Sequence, residues 1–154
     1  NVSNTKASNI KISSTNGILS FEKIDADAIE IQTTNATTAI HQARGVISYQ
    51  SKGGKLTAFD IFGSGCFNAS GEGSIDIAFA DATGDISAYS KNGKLTLQIP
   101  SELAFEYSAT TKEGSVDTDF ADQLTGNIAA GTVGSSPTIF IKLETRNGDI
   151  QVLR

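Results

Sequence analysis

The chain has 154 residues and a net charge of −5, contains no Trp or Met, and is only 7% aromatic. That length suits one ordinary domain. Singly scattered Lys and Arg argue against a nucleic-acid partner, which needs a basic stripe, and apolar runs of a few residues exclude a membrane-spanning helix. Fifteen glycines against two prolines, with abundant Ser, Thr and Asn, point to a turn-rich all-β chain.

In chain order, residues 1–9 are polar and are expected to drape loosely across whatever follows. The chain begins at Asn1 without an initiator Met, as a mature or trimmed fragment would, so a signal or anchor is expected to lie outside it. From Ile10 onward a turn recurs: "SSTNG", "SKGG", "SGEG", "SKNG", "TKEG" and "TRNG". Its glycines are Gly17, Gly54, Gly73, Gly93, Gly114 and Gly148, with Ala36 standing in for one in "TTNATTAI". Successive spacings are 19, 18, 19, 20, 21 and 34, and a period near 20 in a β-type sequence signals a solenoid. An isolated Asn-Gly would signal a hairpin; repeated at this period it reads as a corner made once per coil.

Other positions align on the turn. Seven residues before it stand Ile10, Ile29, Ile47, Cys66, Ile86, Tyr107 and Ile141, and five before it Ile12, Ile31, Tyr49, Asn68, Ala88, Ala109 and Leu143. Two after it stand Leu19, Thr38, Leu56, Ile75, Leu95, Val116 and Ile150, and four after it Phe21, Ile40, Ala58, Ile77, Leu97, Thr118 and Val152. Ile24, Ala43, Ile61, Ala80, Pro100 and Ala121 close the pattern seven after it. Each unit therefore reads as two short strands of period two around a bend, with these residues facing inward. This places Leu95 between Ile75 and Val116, and Cys66 in the core as a packed residue. Three before the turn a hydroxyl recurs at Ser14, Thr33, Ser51, Ser70, Ser90, Thr111 and Thr145, where it can bond backbone groups that leave the ladder at the bend. The long last spacing holds an insertion at 122–138, aperiodic and rich in Gly and Ser, read as a loop expected to fold over the final coil.

Candidate chemistry is sparse. His41 stands alone on the outward register, and no cluster of metal-ligand spacing accompanies it. Carboxylates bunch at Asp25 and Asp27, at Asp81 and Asp85, and at Asp117, Asp119 and Asp122, but without the nonapeptide pattern of calcium-binding β-rolls or an assignable glycosidase pair. No catalytic, cofactor or metal residue is assigned. The outward register instead carries Phe59, Phe67 and Tyr89, with Phe67 and Tyr89 on adjacent coils, where an aromatic pair could stack on a sugar ring or a partner protein.

The series of turns, together with the ending "IFIKLETRNGDIQVLR" after a Gly-rich insertion, resembles the bacterial putative-adhesin family of β-strand repeat proteins over about residues 10–154. The resemblance implies a right-handed single-stranded β-helix on the extracytoplasmic side of a bacterial envelope; similar domains include Gram-positive proteins linked to envelope stress and Bacteroidetes surface proteins. It carries no catalytic residues over, and this chain departs from the pattern at Ala36 and at Asn68. The combined expectation is an all-β, right-handed solenoid of about seven coils occupying residues 1–154 as one domain. Its expected role is a non-enzymatic surface or envelope module with a glycan, envelope or protein ligand, monomeric or weakly self-associating through its ends. An envelope-stress sensor and a carbohydrate-active β-helix enzyme are the alternatives.

Overall fold

A strand the length of Val2–Asn92 (β1), 91 residues, would reach about 300 Å if straight, so it has to wind. The computed structural model describes residues 1–120 and 123–154, and no helix occurs within them. Contacts at the repeat spacing show the winding: Lys6 pairs with Asp25 at 3.3 Å, Lys11 with Glu30 at 3.0 Å, and the Thr33 hydroxyl donates to that of Ser51 at 2.8 Å. The strands that follow are β2 (Leu95–Gln98), β3 (Phe105–Glu113), β4 (Val116–Thr118), β5 (Gln123–Thr125), β6 (Ile128–Val133), β7 (Ile139–Asn147) and β8 (Ile150–Leu153). They join one nearly closed sheet in the order β4-β8-β2-β1-β7-β3-β6-β5. Residues 1–9 do not drape loosely: Val2 onward is strand, and Val2 packs against the core.

The winding does not follow chain order at its far end. β1 pairs with β7 through Ile86↔Ile141, and β7 with β3 through Tyr107↔Ile141. The neighbouring column reads Ile75, Leu95, Ile150, Val116. The C-terminal strands are thus inserted between two earlier layers, and Leu95 lies between Ile75 and Ile150 rather than against Val116. Insertion gives β7 and β8 a ladder partner on both sides, so they need no cap of their own. Asp149 ties the layers together at this insertion. It accepts from the backbone N–H of Ser115 at 2.9 Å and from its hydroxyl at 3.0 Å, which holds its carboxyl below the usual aspartate value.

The segment 122–138, expected as a loop, contains β5 and β6. β6 pairs antiparallel with β3 and β5 with β6, so a hairpin closes the sheet edge at β3. Asp122 lies outside the described residues, as does Ala121. Beneath the hairpin, Phe105 meets Phe120 edge-on with centroids 5.2 Å apart, and the Tyr107 hydroxyl donates to the Phe120 carbonyl at 2.7 Å. Removing residues 124–135 should expose the β3 edge. We expect a lower unfolding midpoint together with self-association in light scattering; a shortened chain that stays monomeric and equally stable would show that the hairpin is not a cap.

Most predicted columns are buried, and one strand is out of phase. Gly65, Phe67 and Ala69 face inward, whereas Cys66 and Ser70 are exposed and Asn68 is half-buried. The cause is one extra residue before the turn. Ser51 stands three residues before Gly54, but Ala69, the inward residue of the next coil, stands four before Gly73. Such an insertion exchanges the two faces of the strand that leads into it, back to the preceding corner. The core residue is therefore Phe67, with its ring edge-on to Phe79, and Cys66 is not in the core. The closing position also slips by a residue in two coils: Ala80 is exposed while Phe79 is buried, and Ile99 is buried beside a half-exposed Pro100.

At the glycine corner the stacked backbones leave no room for a side chain. A Cβ built on Gly93 would strike the carbonyl of Gly73, and one on Gly148 would strike the carbonyl of Gly93. The same contact links Gly54 to Ala36, Gly73 to Gly54 and Gly114 to Gly148, which defines one continuous column. Gly148→Ala should therefore cost on the order of 3 kcal/mol in chemical denaturation. Register has its own test. Leu95 is fully buried and Lys94 is exposed. Leu95→Asp should cost several kcal/mol, and Lys94→Asp about 0.5 kcal/mol or less; equal losses would refute the inward assignment.

Candidate functional site: a groove along the glycine corner

Hydroxyls just before the corners bond the backbone groups at the bend. Ser90 donates to the Gly73 carbonyl at 3.0 Å, one layer away. Thr145 and Thr111 both donate to the carbonyl of Gly148, at 2.7 and 2.9 Å, one from its own layer and one from the next. Ser14 donates to Asn16 at 3.0 Å, and Ser51 accepts from the N–H of Gly53 at 3.1 Å. Backbone groups that leave the ladder at the bend are thereby paired inside it. Ser70, displaced by the extra residue, donates instead to the Ser51 carbonyl at 3.2 Å.

With those hydroxyls turned inward, the residues on either side of them line a concave outer surface. One groove of about 660 Å³ is lined by Ser13, Gln32, Gln50 and Asn68 in one row, with Thr15, Thr34 and Lys52 two residues further on. A second, of about 480 Å³, is lined by Tyr89, Thr110 and Glu144, with Lys112 and Arg146 again two residues further on. Both lie along the stretch two to four residues before the same glycine column, five at Asn68 where the extra residue falls. They are segments of one surface running along the stack. Its first part offers amides, hydroxyls and the ammonium of Lys52; its second offers an aromatic ring, cations and the carboxylate of Glu144.

The predicted site residues separate in the structure. Phe67 is fully buried and cannot contact a ligand, for the reason given above, so its pairing with Tyr89 does not exist. Tyr89 is half-buried and lines the groove, with Glu144 as its strand partner. Phe59 is 44% exposed and lines neither groove segment. Sequence reasoning missed Gln32, Gln50 and Arg146. Their signal is their place in the rows flanking the repeated hydroxyls, four and two residues before the turn.

Several titratable groups have structural partners. His41 pairs with Asp60 at 3.2 Å on the surface, Asp85 accepts from the N–H of Phe140 at 2.8 Å, and Asp119 from that of Arg154 at 3.1 Å. Among the described residues no three His, Cys, Asp or Glu side chains are placed to hold a metal ion, and no helix is long and apolar enough to cross a membrane.

A wound sheet with stacked corners and a hydroxyl-lined bend defines a β-solenoid of the putative-adhesin type of β-repeat protein. The chain belongs to the Toastrack DUF4097 family, whose model matches residues 1–153. Its fold is similar to the crystal structure of a putative cell adhesion protein from Clostridium sporogenes ATCC 15579. That likeness has a TM-score of 0.51 at 12% identity and covers 98% of this chain and 92% of that one. No curated protein matches the sequence.

Proposed function

We propose that this chain is a right-handed solenoid of about seven coils acting as a non-enzymatic binding module on a bacterial surface or envelope, outside the cytoplasm. The observation that carries this reading is the corner groove, which presents the same two outward positions layer after layer. A repeated row of amides and hydroxyls suits a ligand that is itself extended, because each layer adds a contact about 4.8 Å from the last. Catalysis needs the opposite arrangement: a few groups converging on one point with matched protonation states. Along the first segment Ser13, Gln32, Gln50 and Asn68, beside Lys52, have side chains that can donate and accept hydrogen bonds, which suits the hydroxyls of a glycan. The structural likeness to a protein described as a putative cell adhesion protein supports a surface role.

The test is a binding screen of the intact chain against cell-wall fragments, neutral and charged glycans and matrix proteins. Saturable binding without change to the ligand is expected, weakened at least threefold by Gln32→Ala with Gln50→Ala while thermal unfolding is unchanged. Release of cleaved ligand would overturn the reading in favour of an enzyme, and binding to none of the three classes would overturn the module itself.

A further inference from the structure

The second half of the groove is lined by Lys112 and Arg146, and Lys91 adjoins them to make a cationic row. Register places Lys91, Arg146 and Lys112 side by side, because Ser90 and Asn92 pair with Thr145 and Asn147, and Thr111 and Glu113 pair with the same two residues. Three layers at strand spacing put the row across roughly 10 Å. Among the described residues none of the three cations is in an ion pair or a side-chain hydrogen bond. Of the nearby carboxylates, Glu144 is engaged by Lys142 at 3.1 Å, which leaves Glu113. On a chain of net charge −5, side-by-side like charges cost folding energy, as directly opposed like charges do in any sheet. The winding order produces this row: in the sequence Lys91, Lys112 and Arg146 lie far apart, and only the insertion of β7 between β1 and β3 makes them neighbours.

We propose that Lys91, Arg146 and Lys112, with Tyr89 beside them, form a binding site for an acidic polysaccharide whose chain lies along the groove. Lysine and arginine recognise sugar carboxylates, arginine in a bidentate manner. The half-buried Tyr89 offers a ring for stacking, and Thr110 and Asn127 on the same surface offer partners for hydroxyls. The single ring gives no stacking series for nucleic acid, whereas a sugar chain bearing one carboxylate per residue offers a face for Tyr89 and anions for the cations beside it. This inference rests on the binding-module reading and specifies the ligand class of one half of the groove.

The test uses the intact chain with oligogalacturonate, a neutral glucan of the same length, polyphosphate and single-stranded DNA, followed by titration calorimetry at low and physiological salt. Oligogalacturonate is expected to bind, more weakly as salt rises. The variant Lys91→Gln/Lys112→Gln/Arg146→Gln should lose at least tenfold in affinity with an unchanged unfolding midpoint. Tyr89→Ala should lose affinity that Tyr89→Phe retains. Oligogalacturonate affinity unaltered by the triple variant, or no binding at all, overturns the proposal, as does equal or tighter binding of polyphosphate or DNA. Binding of the neutral glucan that depends on Gln32 and Gln50 while oligogalacturonate fails would overturn this site and leave the module reading standing.

Discussion

Backbone stacked directly on backbone at the glycine corner is the contact on which the rest of the structure depends. Each coil turns with its Cα against the carbonyl of the coil beneath, so that a single methyl group at Gly93 or Gly148 would force the layers apart. Close approach there lets the strands on either side keep ladder spacing, which aligns the inward Ile and Leu columns into a continuous core. It also strands backbone carbonyls at the bend. The inward Ser and Thr side chains answer that need, and because they are committed to the interior, the outward residues flanking them are left to form a groove.

A second corner is built differently. Asn4, Lys23, Gln42 and Asp60 adopt φ of 49°, 55°, 57° and 55°, at spacings of 19, 19 and 18 residues. Left-handed backbone at residues other than glycine costs on the order of 1–3 kcal/mol each. Its recurrence shows that stacking against the neighbouring coils dictates this bend more strongly than local preference does. This corner also uses glycine three residues further on, where Gly45 and Gly63, with φ of 131° and 144°, stack on the carbonyls of Ala26 and Gly45.

The far end shows how a solenoid avoids open edges. The chain skips one layer, builds β3 and β4, closes the edge with a two-stranded antiparallel hairpin, and returns to fill the skipped layer with β7 and β8. The last strands are thereby paired on both faces, and the strand order ends on two three-residue strands, β4 and β5. Short edges offer little template for another chain. The same manoeuvre brings together side chains that no local pattern would associate, among them the cations of the groove.

Periodicity alone determined the all-β class, the glycine corner, the inward columns from Ile29 to Ile61 and at Ile75, Ile77, Ile86, Ala88, Leu95 and Leu97, and the hydroxyl position save at Ser70, because each depends on residues a few places from a recognisable turn. Phe67, Cys66 and the layer order could not be read that way. One additional residue between Ala69 and Gly73 inverts a strand's faces, and nothing in composition distinguishes it from an ordinary turn residue. The position of β7 between β1 and β3 likewise follows from which edge is open when the chain returns, a property of the assembled sheet rather than of "IFIKLETRNGDIQVLR" itself. Local patterns with a period of two or twenty residues were therefore legible in the sequence. The phase of Phe67 and the company of Lys91, Arg146 and Lys112 were decided only by tertiary pairing, because they depend on contacts between segments whose separation along the chain carries no signal.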